Sequence, residues 1–181
     1  LYIHFPWCIQ KCPYCDFNSH NLNTELPEDI YINRLISEID ETKHFWSKDK
    51  LIETIFMGGG TPSLFSSKSL SRLFEKIYTS FNIAPHCEIT IEVNPGASTD
   101  LVGYRSIGIN RISIGVQSFQ PHHLKKLGRI HSNSDAVSTI QRAQKSGFDN
   151  INIDLMYGLP NQSLREVSDD LMCAIQLNTN H

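Results

Sequence analysis

Apolar and polar positions change period along this chain, and the changes mark its elements. Tyr2–Phe5 is a short apolar run that reads as a strand stopped by Pro6. Between Asp29 and Phe45, Ile32, Leu35, Ile36 and Ile39 recur at helical spacing. Glu53–Met57 reads as a second strand, running into Gly58-Gly59-Gly60. Leu70, Leu73, Phe74, Ile77, Tyr78 and Phe81 then trace the cleanest amphipathic helix in the chain, with Ser66 or Ser67 as its cap. Glu88–Val93 is a third strand, closed by Asn94-Pro95-Gly96, and Leu101–Ser106 a brief helix. Arg111–Val116 is a fourth strand, followed by a short helical piece over His122–Leu127. Val137, Ile140 and Ala143 mark a helix that ends at Gly147, a residue type suited to the left-handed position after a helix. Ile151–Leu155 is a fifth strand leading into Tyr157-Gly158-Leu159-Pro160. Leu164, Val167, Leu171 and Ala174 mark the last helix, with Asn161 or Ser163 at its start.

Five strands, each followed by a helix, form an α/β chain of repeated β-α units around a parallel sheet. Polar residues cluster just after the strands, on the face where sites form in both barrels and open sheets. Five units complete a doubly wound sheet but do not close a barrel, and periodicity does not choose between them.

Composition narrows the function classes. The 181 residues suit one domain, and no linker or low-complexity segment divides them. Both ends read as cut, because the chain begins at Leu1 without Met and stops at His181 just past a helical pattern. A net charge of -3 with no run of Lys and Arg argues against a nucleic-acid binder working by bulk charge. No apolar stretch is long enough for a membrane span, and no secretory signal is visible.

Cysteine is the sharper clue. The count is five, an odd number that fits a disulfide framework poorly, and three sit together as Cys8-x3-Cys12-x2-Cys15. Three thiolates on one loop suit a cubane cluster with one open iron; zinc wants a fourth ligand, and the position two after Cys15 is Phe17. Zinc and three unligated thiols remain open on spacing alone. Such thiols point to a reducing, cytoplasmic setting. Cys87 and Cys173 lie in strand and helix patterns and are expected to be buried hydrophobes.

Other residues stand out chemically. The glycine run before Thr61 lets backbone approach a ligand closely or simply makes a tight turn. Alternation puts Glu92 on the opposite face from Ile91 and Val93, where a carboxylate is costly unless paired or bound. Asp154, inside Ile153-Asp154-Leu155, carries the same cost. Arg129 offers a rigid donor fork. His4 is expected to face the barrel interior, and His122, His123 and His131 to be solvated loop residues.

The cysteine loop directly after the first strand resembles that of the radical S-adenosylmethionine (SAM) superfamily. The string Tyr2-Ile3-His4-Phe5-Pro6-Trp7-Cys8, with Cys12-Pro13-Tyr14-Cys15-Asp16-Phe17-Asn18-Ser19, resembles the oxygen-independent coproporphyrinogen III oxidase family, within it the HemW-like heme chaperone branch. The resemblance continues through GGGTPS (Gly58–Ser63), EVNPG (Glu92–Gly96), RISIGVQSF (Arg111–Phe119), LGRIH (Leu127–His131) and NIDLMYGLP (Asn152–Pro160).

The resemblance implies a partial TIM-like (β/α)6 barrel, with residues 1–181 as a core domain cut before its sixth β-α unit and C-terminal region. It implies a [4Fe-4S] cluster on Cys8, Cys12 and Cys15, with SAM chelating the fourth iron and being cleaved to a 5′-deoxyadenosyl radical. The segment Gly59-Gly60-Thr61 would hold the SAM amino group, Glu92 and Gln117 would contact SAM, Arg129 would clamp its carboxylate and Asp154 would bind its ribose. Tyr2 would lie beside the methionyl end and Tyr14 near the adenine. An electron donor such as flavodoxin or ferredoxin is implied. Two activities share this chemistry: delivery of heme to an apo-hemoprotein recipient, or oxidative decarboxylation of coproporphyrinogen III to protoporphyrinogen IX. The oxidase pattern carries a further cysteine where this chain has Phe17, so the expected function is the chaperone. A radical SAM enzyme with another substrate and a non-catalytic zinc module are the other readings.

Overall fold

The computed structural model describes residues 1–47, 49–96 and 99–181. In chain order, strand β1 (Tyr2–Phe5) leads into a short bridge between β2 (Trp7–Cys8) and β3 (His20–Asn21), followed by helix α1 (Glu28–Thr42). Then come β4 (Leu51–Gly59), α2 (Ser67–Ser80), β5 (Asn82–Val93), α3 (Leu101–Ser106) and β6 (Arg111–Gln117). Helices α4 (Pro121–Lys126) and α5 (Asn133–Lys145), strand β7 (Asn150–Leu155) and helix α6 (Leu164–Gln176) complete the chain.

Five strands form one all-parallel sheet in the order β1-β4-β5-β6-β7. Spatial order follows chain order. A doubly wound sheet reverses direction at a switch point, and this one does not, so the architecture is the singly wound, partial-barrel kind. Alternation along the strands agrees. Ile55 and Met57, Ile89, Ile91 and Val93, Ile112, Ile114 and Val116, and Ile151 and Ile153 are buried in one cluster with helix residues such as Leu70, Leu73, Ile77 and Ile140. The residues between them form the other, concave face.

Local signals placed most element ends. Ser66 caps α2 by accepting from Ser69 N at 3.2 Å. Ser163 closes a capping box with Glu166 at the start of α6, as Ser132 does with Asp135 at α5. Gly147 ends α5 with φ +84°. The first helix is shorter than its periodicity suggests, since Lys43–Phe45 tightens into a 3-10 turn. β5 starts six residues earlier than expected. Pro85 disguises its first half, and a register shift against β4 between Ile52 and Thr54 accommodates it.

Two histidine expectations are overturned. His123 lies on α4 with a fully buried side chain, and His131 is buried with Nε2 3.1 Å from Val116 O. Burial, reinforced by the nearby Arg129 cation, pushes His131 down to about 4, so it is neutral at pH 7. Cys87 is buried as expected, whereas Cys173 is only half-buried against the core. The outer edge of β7 is not bare: Asn180 N and His181 N donate to Ile151 O, and Ile153 N donates to His181 O.

Helix α6 is fixed by Asp170, a buried carboxylate that accepts from Ser118 Oγ and from Phe119 N, both at 2.8 Å. These bonds tie α6 to the loop after β6. Asp170→Ala leaves a buried backbone donor without a partner and is expected to cost about 3 kcal/mol in urea unfolding, with Asp170→Asn losing less because it keeps one acceptor. A change in D170A below about 0.5 kcal/mol would show that the loop does not depend on this carboxylate.

Candidate cofactor site

The concave face is polar because of the period-two alternation. Glu92 on β5 pairs in register with Ser113 on β6, and Ser113 pairs with Asn152 on β7. Asp154 follows two residues further along and is exposed, so the burial cost expected from its apolar neighbours does not arise. Ser113 Oγ lies 3.3 Å from Asp154 Oδ2, and Asn152 Nδ2 donates to Ser113 Oγ at 2.9 Å and to Asp154 Oδ1 at 2.7 Å. Over the strand ends sits an open cleft with about 680 Å3 of unfilled space. Of the twelve residues singled out from sequence, every one except Tyr2 lines it.

The cysteine loop is pinched at its base by backbone bonds. His20 N donates to Pro6 O at 2.7 Å and Leu22 N to Cys8 O at 2.8 Å. Inside the loop, Lys11 Nζ donates to Phe17 O and Ser19 O, and Lys11 N donates to Asn21 Oδ1. These contacts hold the 11-residue excursion between β2 and β3 in one shape without regular structure. Cys8, Cys12 and Cys15 are all half-buried and unpaired, and all three face the cleft.

The glycine run meets the loop from below. Gly60 N donates to Phe5 O at 2.6 Å and Thr61 N to Trp7 O at 2.7 Å, so the β1–β4 ladder continues past the end of β1. Gly59 has φ +111°, and a Cβ there would overlap the His4 ring at 2.4 Å. A Cβ on Gly60 would strike Trp7 O at 2.5 Å. His4 itself is held by Tyr2 Oη at 2.9 Å and Asn18 O at 2.7 Å, on the inner face as expected.

Glu92 accepts from Gly59 N at 3.1 Å. Burial pushes its carboxyl above the usual range and nearby Asp154 adds to this, while the Gly59 bond and His4 oppose it. Among the described residues no cation forms a salt bridge with Glu92, so an anion sits in the cleft without one. With the N–H groups of Gly59, Gly60 and Thr61 all engaged, the backbone of this corner has no donor left for a ligand and the Glu92 carboxylate is an acceptor, which suits an ammonium group.

Arg129 holds the opposite wall. Its Nη2 donates to Asn94 Oδ1 and Gly115 O, both at 2.7 Å, and its Nη1 lies 3.5 Å from Cys12 Sγ. Asn94 in turn donates to Thr61 Oγ1 at 2.8 Å. Gln117 sits in the left-handed region at φ +69°, at a bulge between β6 and β7, with its carbonyl accepting from Met156 N. Tyr14 lines the cleft, its phenol pushed up to about 12 chiefly by burial. Tyr2 is more than half exposed and lies outside the lining; its hydroxyl meets His4 Nδ1, and partial burial with the nearby Glu92 charge raises its phenol above the usual range. Sequence reasoning missed Asn94 and Ser113. Asn94 was legible only as a turn residue, but Ser113 sits on the inner face by the same alternation that singled out Glu92.

The donor set discriminates between the metal centres considered. Thiolates on one tetrahedral zinc stand about 3.8 Å apart, given Zn–S near 2.3 Å. Among the described residues the three sulfurs do not gather within 4.8 Å of one another, and no fourth cysteine joins them. The triad is wider than one tetrahedral ion asks for, and the Arg129 guanidinium is a hydrogen-bond donor to the Cys12 sulfur.

Comparison with known proteins agrees with this geometry. The radical SAM superfamily profile matches residues 2–173. The chain is 47% identical to the heme chaperone HemW of Escherichia coli, over 100% of this chain and 48% of that protein. It is also 47% identical to HemW of Haemophilus influenzae, over 100% of this chain and 49% of that one. The chain thus spans about half the length of the curated relatives it matches. Among solved structures, coproporphyrinogen III oxidase (HemN) from E. coli, a radical SAM enzyme, superposes with a TM-score of 0.89 at 29% identity, covering 99% of this chain and 42% of that one. On the match over residues 2–173, supported by the all-parallel partial barrel, the chain belongs to the radical SAM superfamily, with its similarity to HemW- and HemN-like members.

Proposed function

We propose that this chain is the cofactor-binding core of a HemW-like heme chaperone, holding a [4Fe-4S] cluster on Cys8, Cys12 and Cys15 and SAM in the adjoining cleft. The observation that carries the cofactor reading is the convergence of the three cysteines, Glu92, Arg129 and Asp154 on one cleft. The chaperone reading rests on 47% identity with HemW against 29% with HemN over the same residues, together with Phe17 in place of a further cysteine. When bound, the cluster supplies the electron that cleaves the SAM sulfonium.

In this reading the chain's own groups have separate tasks. Glu92 and the Gly59–Thr61 turn receive the SAM ammonium, and the Nη1 side of Arg129 meets its carboxylate. Asp154, oriented by Ser113 and Asn152, accepts from the ribose hydroxyls. Gln117 contacts SAM from the end of β6. Tyr14, on the cleft lining, lies near the adenine. Heme, its apo-protein recipient and a flavodoxin- or ferredoxin-type donor are the partners this reading assigns, in the reducing cytoplasm. Among the described residues no helix is long and apolar enough to cross a membrane.

Oxidase activity is the second reading, favoured by the TM-score of 0.89 with HemN. Full-length protein, purified anaerobically, separates the two in parallel heme-titration and coproporphyrinogen assays with SAM. Stoichiometric heme uptake with no decarboxylated product is the expected result. Protoporphyrinogen formation would sink the chaperone reading.

Two substitutions test the site. Cys12→Ala is expected to lower bound iron from about four per chain to a trace and to remove the visible charge-transfer absorption. Retention of iron and sulfide at the wild-type level would remove Cys12 from the ligand set. Glu92→Gln is expected to weaken SAM binding by about 1.5–3 kcal/mol, roughly 10- to 100-fold, by deleting a charge-assisted bond. The same change acts on stability with the opposite sign. The Glu92 pKa is raised on folding, so its contribution is intact in acid and lost as pH rises through that raised value. Ligand-free E92Q should therefore have a higher urea midpoint than wild type at pH 7, with the gap closing below about pH 4. A lower midpoint at pH 7 would contradict a half-buried carboxylate whose one backbone donor does not offset desolvation.

A further inference from the structure

Outside the cleft, one group of side chains is arranged like a metal site. His122 and His123 stand side by side on α4, with ring centroids 4.1 Å apart. Glu166 faces them from the first turn of α6. Its Oε1 lies 2.8 Å from His122 Nε2 and 3.6 Å from His123 Nε2. Each of the three residues offers one ligand atom, and these atoms all lie within 4.8 Å of one another. Among the described residues no other set of three or more His, Cys, Asp or Glu side chains meets that condition. None of the three lines the cofactor cleft.

A second observation separates this group from an ordinary surface ion pair. The His123 side chain is wholly buried, yet neither ring nitrogen has a hydrogen-bond partner. An imidazole has a donor or a lone pair at each nitrogen, and leaving one of these buried and unmade costs about 1–3 kcal/mol. A His122–Glu166 ion pair leaves that cost standing. An ion shared by the three side chains removes it at the one His123 nitrogen that faces Glu166, Nε2.

Glu166 is also prepared for the task. Its Oε2 accepts from Ser163 N at 2.7 Å and from Ser163 Oγ at 2.8 Å, within the capping box of α6. These bonds fix the carboxylate plane and leave Oε1 turned toward the histidines. Orientation of one carboxylate oxygen by neighbouring donors is what outer partners do for metal ligands.

We propose that His122, His123 and Glu166 form a second metal site, for a divalent transition ion, that staples α4 to α6. Two imidazoles and one carboxylate suit zinc over magnesium or calcium, which prefer all-oxygen shells. Ligands at about 2.0–2.2 Å from a tetrahedral zinc stand roughly 3.3 Å apart, and the observed 2.8 and 3.6 Å bracket that spacing. The ion joins the helices that follow β6 and β7, the strands that carry Gln117 and Asp154. Asp170 already locks α6 to the loop before α4, so the ion would add a second tie across the same junction.

Full-length protein with its cysteine loop already loaded with iron and sulfide gives the test, because zinc then cannot be captured by Cys8, Cys12 or Cys15. After chelator treatment and equilibration with zinc, wild type is expected to retain about one zinc per chain by elemental analysis, with its thermal midpoint raised. His122→Ala, a change at a half-exposed residue, should retain less than about a tenth of that while iron and sulfide stay constant. Cobalt substituted for zinc should show d–d bands without thiolate charge transfer. No retained zinc in wild type, or equal zinc in H122A, would overturn the site; thiolate charge transfer would place the ion on cysteine and overturn it as well.

Discussion

The site depends on a short backbone ladder that outlasts the strand it belongs to. β1 ends at Phe5, but Gly60 N and Thr61 N continue to donate to Phe5 O and Trp7 O. Those two bonds join the glycine run to the entry of the cysteine loop. The other end of the loop is fixed by His20 N and Leu22 N, bonded to Pro6 O and Cys8 O. Both halves of the cofactor site therefore hang from one stretch of main chain. Glycine is required here for space: a side chain at Gly60 would push the Trp7 carbonyl away and open the ladder at the point where the first cysteine leaves it.

Above that ladder, the parallel sheet sorts its residues by parity. One face gives Ile, Val and Met to the helices, and the other gives Glu92, Ser113, Asn152 and Asp154 to the cleft. Ser113, Asn152 and Asp154 satisfy one another, so that side of the cleft is ordered without a ligand. Glu92 is not satisfied in the same way. Its single backbone donor does not offset burial, and its carboxyl is pushed upward. A group left in this state favours the ligand that relieves it, which is how a binding residue can lower the stability of the empty protein.

What the sequence showed follows from which interactions are local. The five strands, the helices and the caps at Ser66 and Ser163 were legible because alternation, helical spacing and capping act over a few residues. Glu92 was legible because it breaks the apolar pattern of its strand, whereas Gly59 and Gly60 stood out only through the family resemblance, since a glycine run by itself reads equally as a tight turn. The first half of β5 was not legible, since Pro85 opposes a strand and only pairing with β4 overrides it. The buried states of His123 and His131 were not legible either. Both sit in polar stretches, and they are enclosed by packing that no neighbour in sequence announces. The choice between barrel and doubly wound sheet likewise waited for strand order, a property of the whole sheet.

Arg129 shows how such a site becomes one unit. Its role as a donor fork was expected, but the fork is already half engaged: Nη2 binds Asn94 and Gly115, and Asn94 reaches on to Thr61 beside the glycine run. Its Nη1 side lies against Cys12 Sγ, and the cation also reaches the Tyr14 phenol. One rigid cation thus touches the end of β6, the turn after β5 and the cysteine loop together, and a planar guanidinium cannot move toward one without pulling on the others. A carboxylate that takes the Nη1 edge competes directly with the Cys12 sulfur for positive charge. Ligand binding and the electrostatics of the cysteine centre are then coupled through a single side chain, without any movement of the barrel.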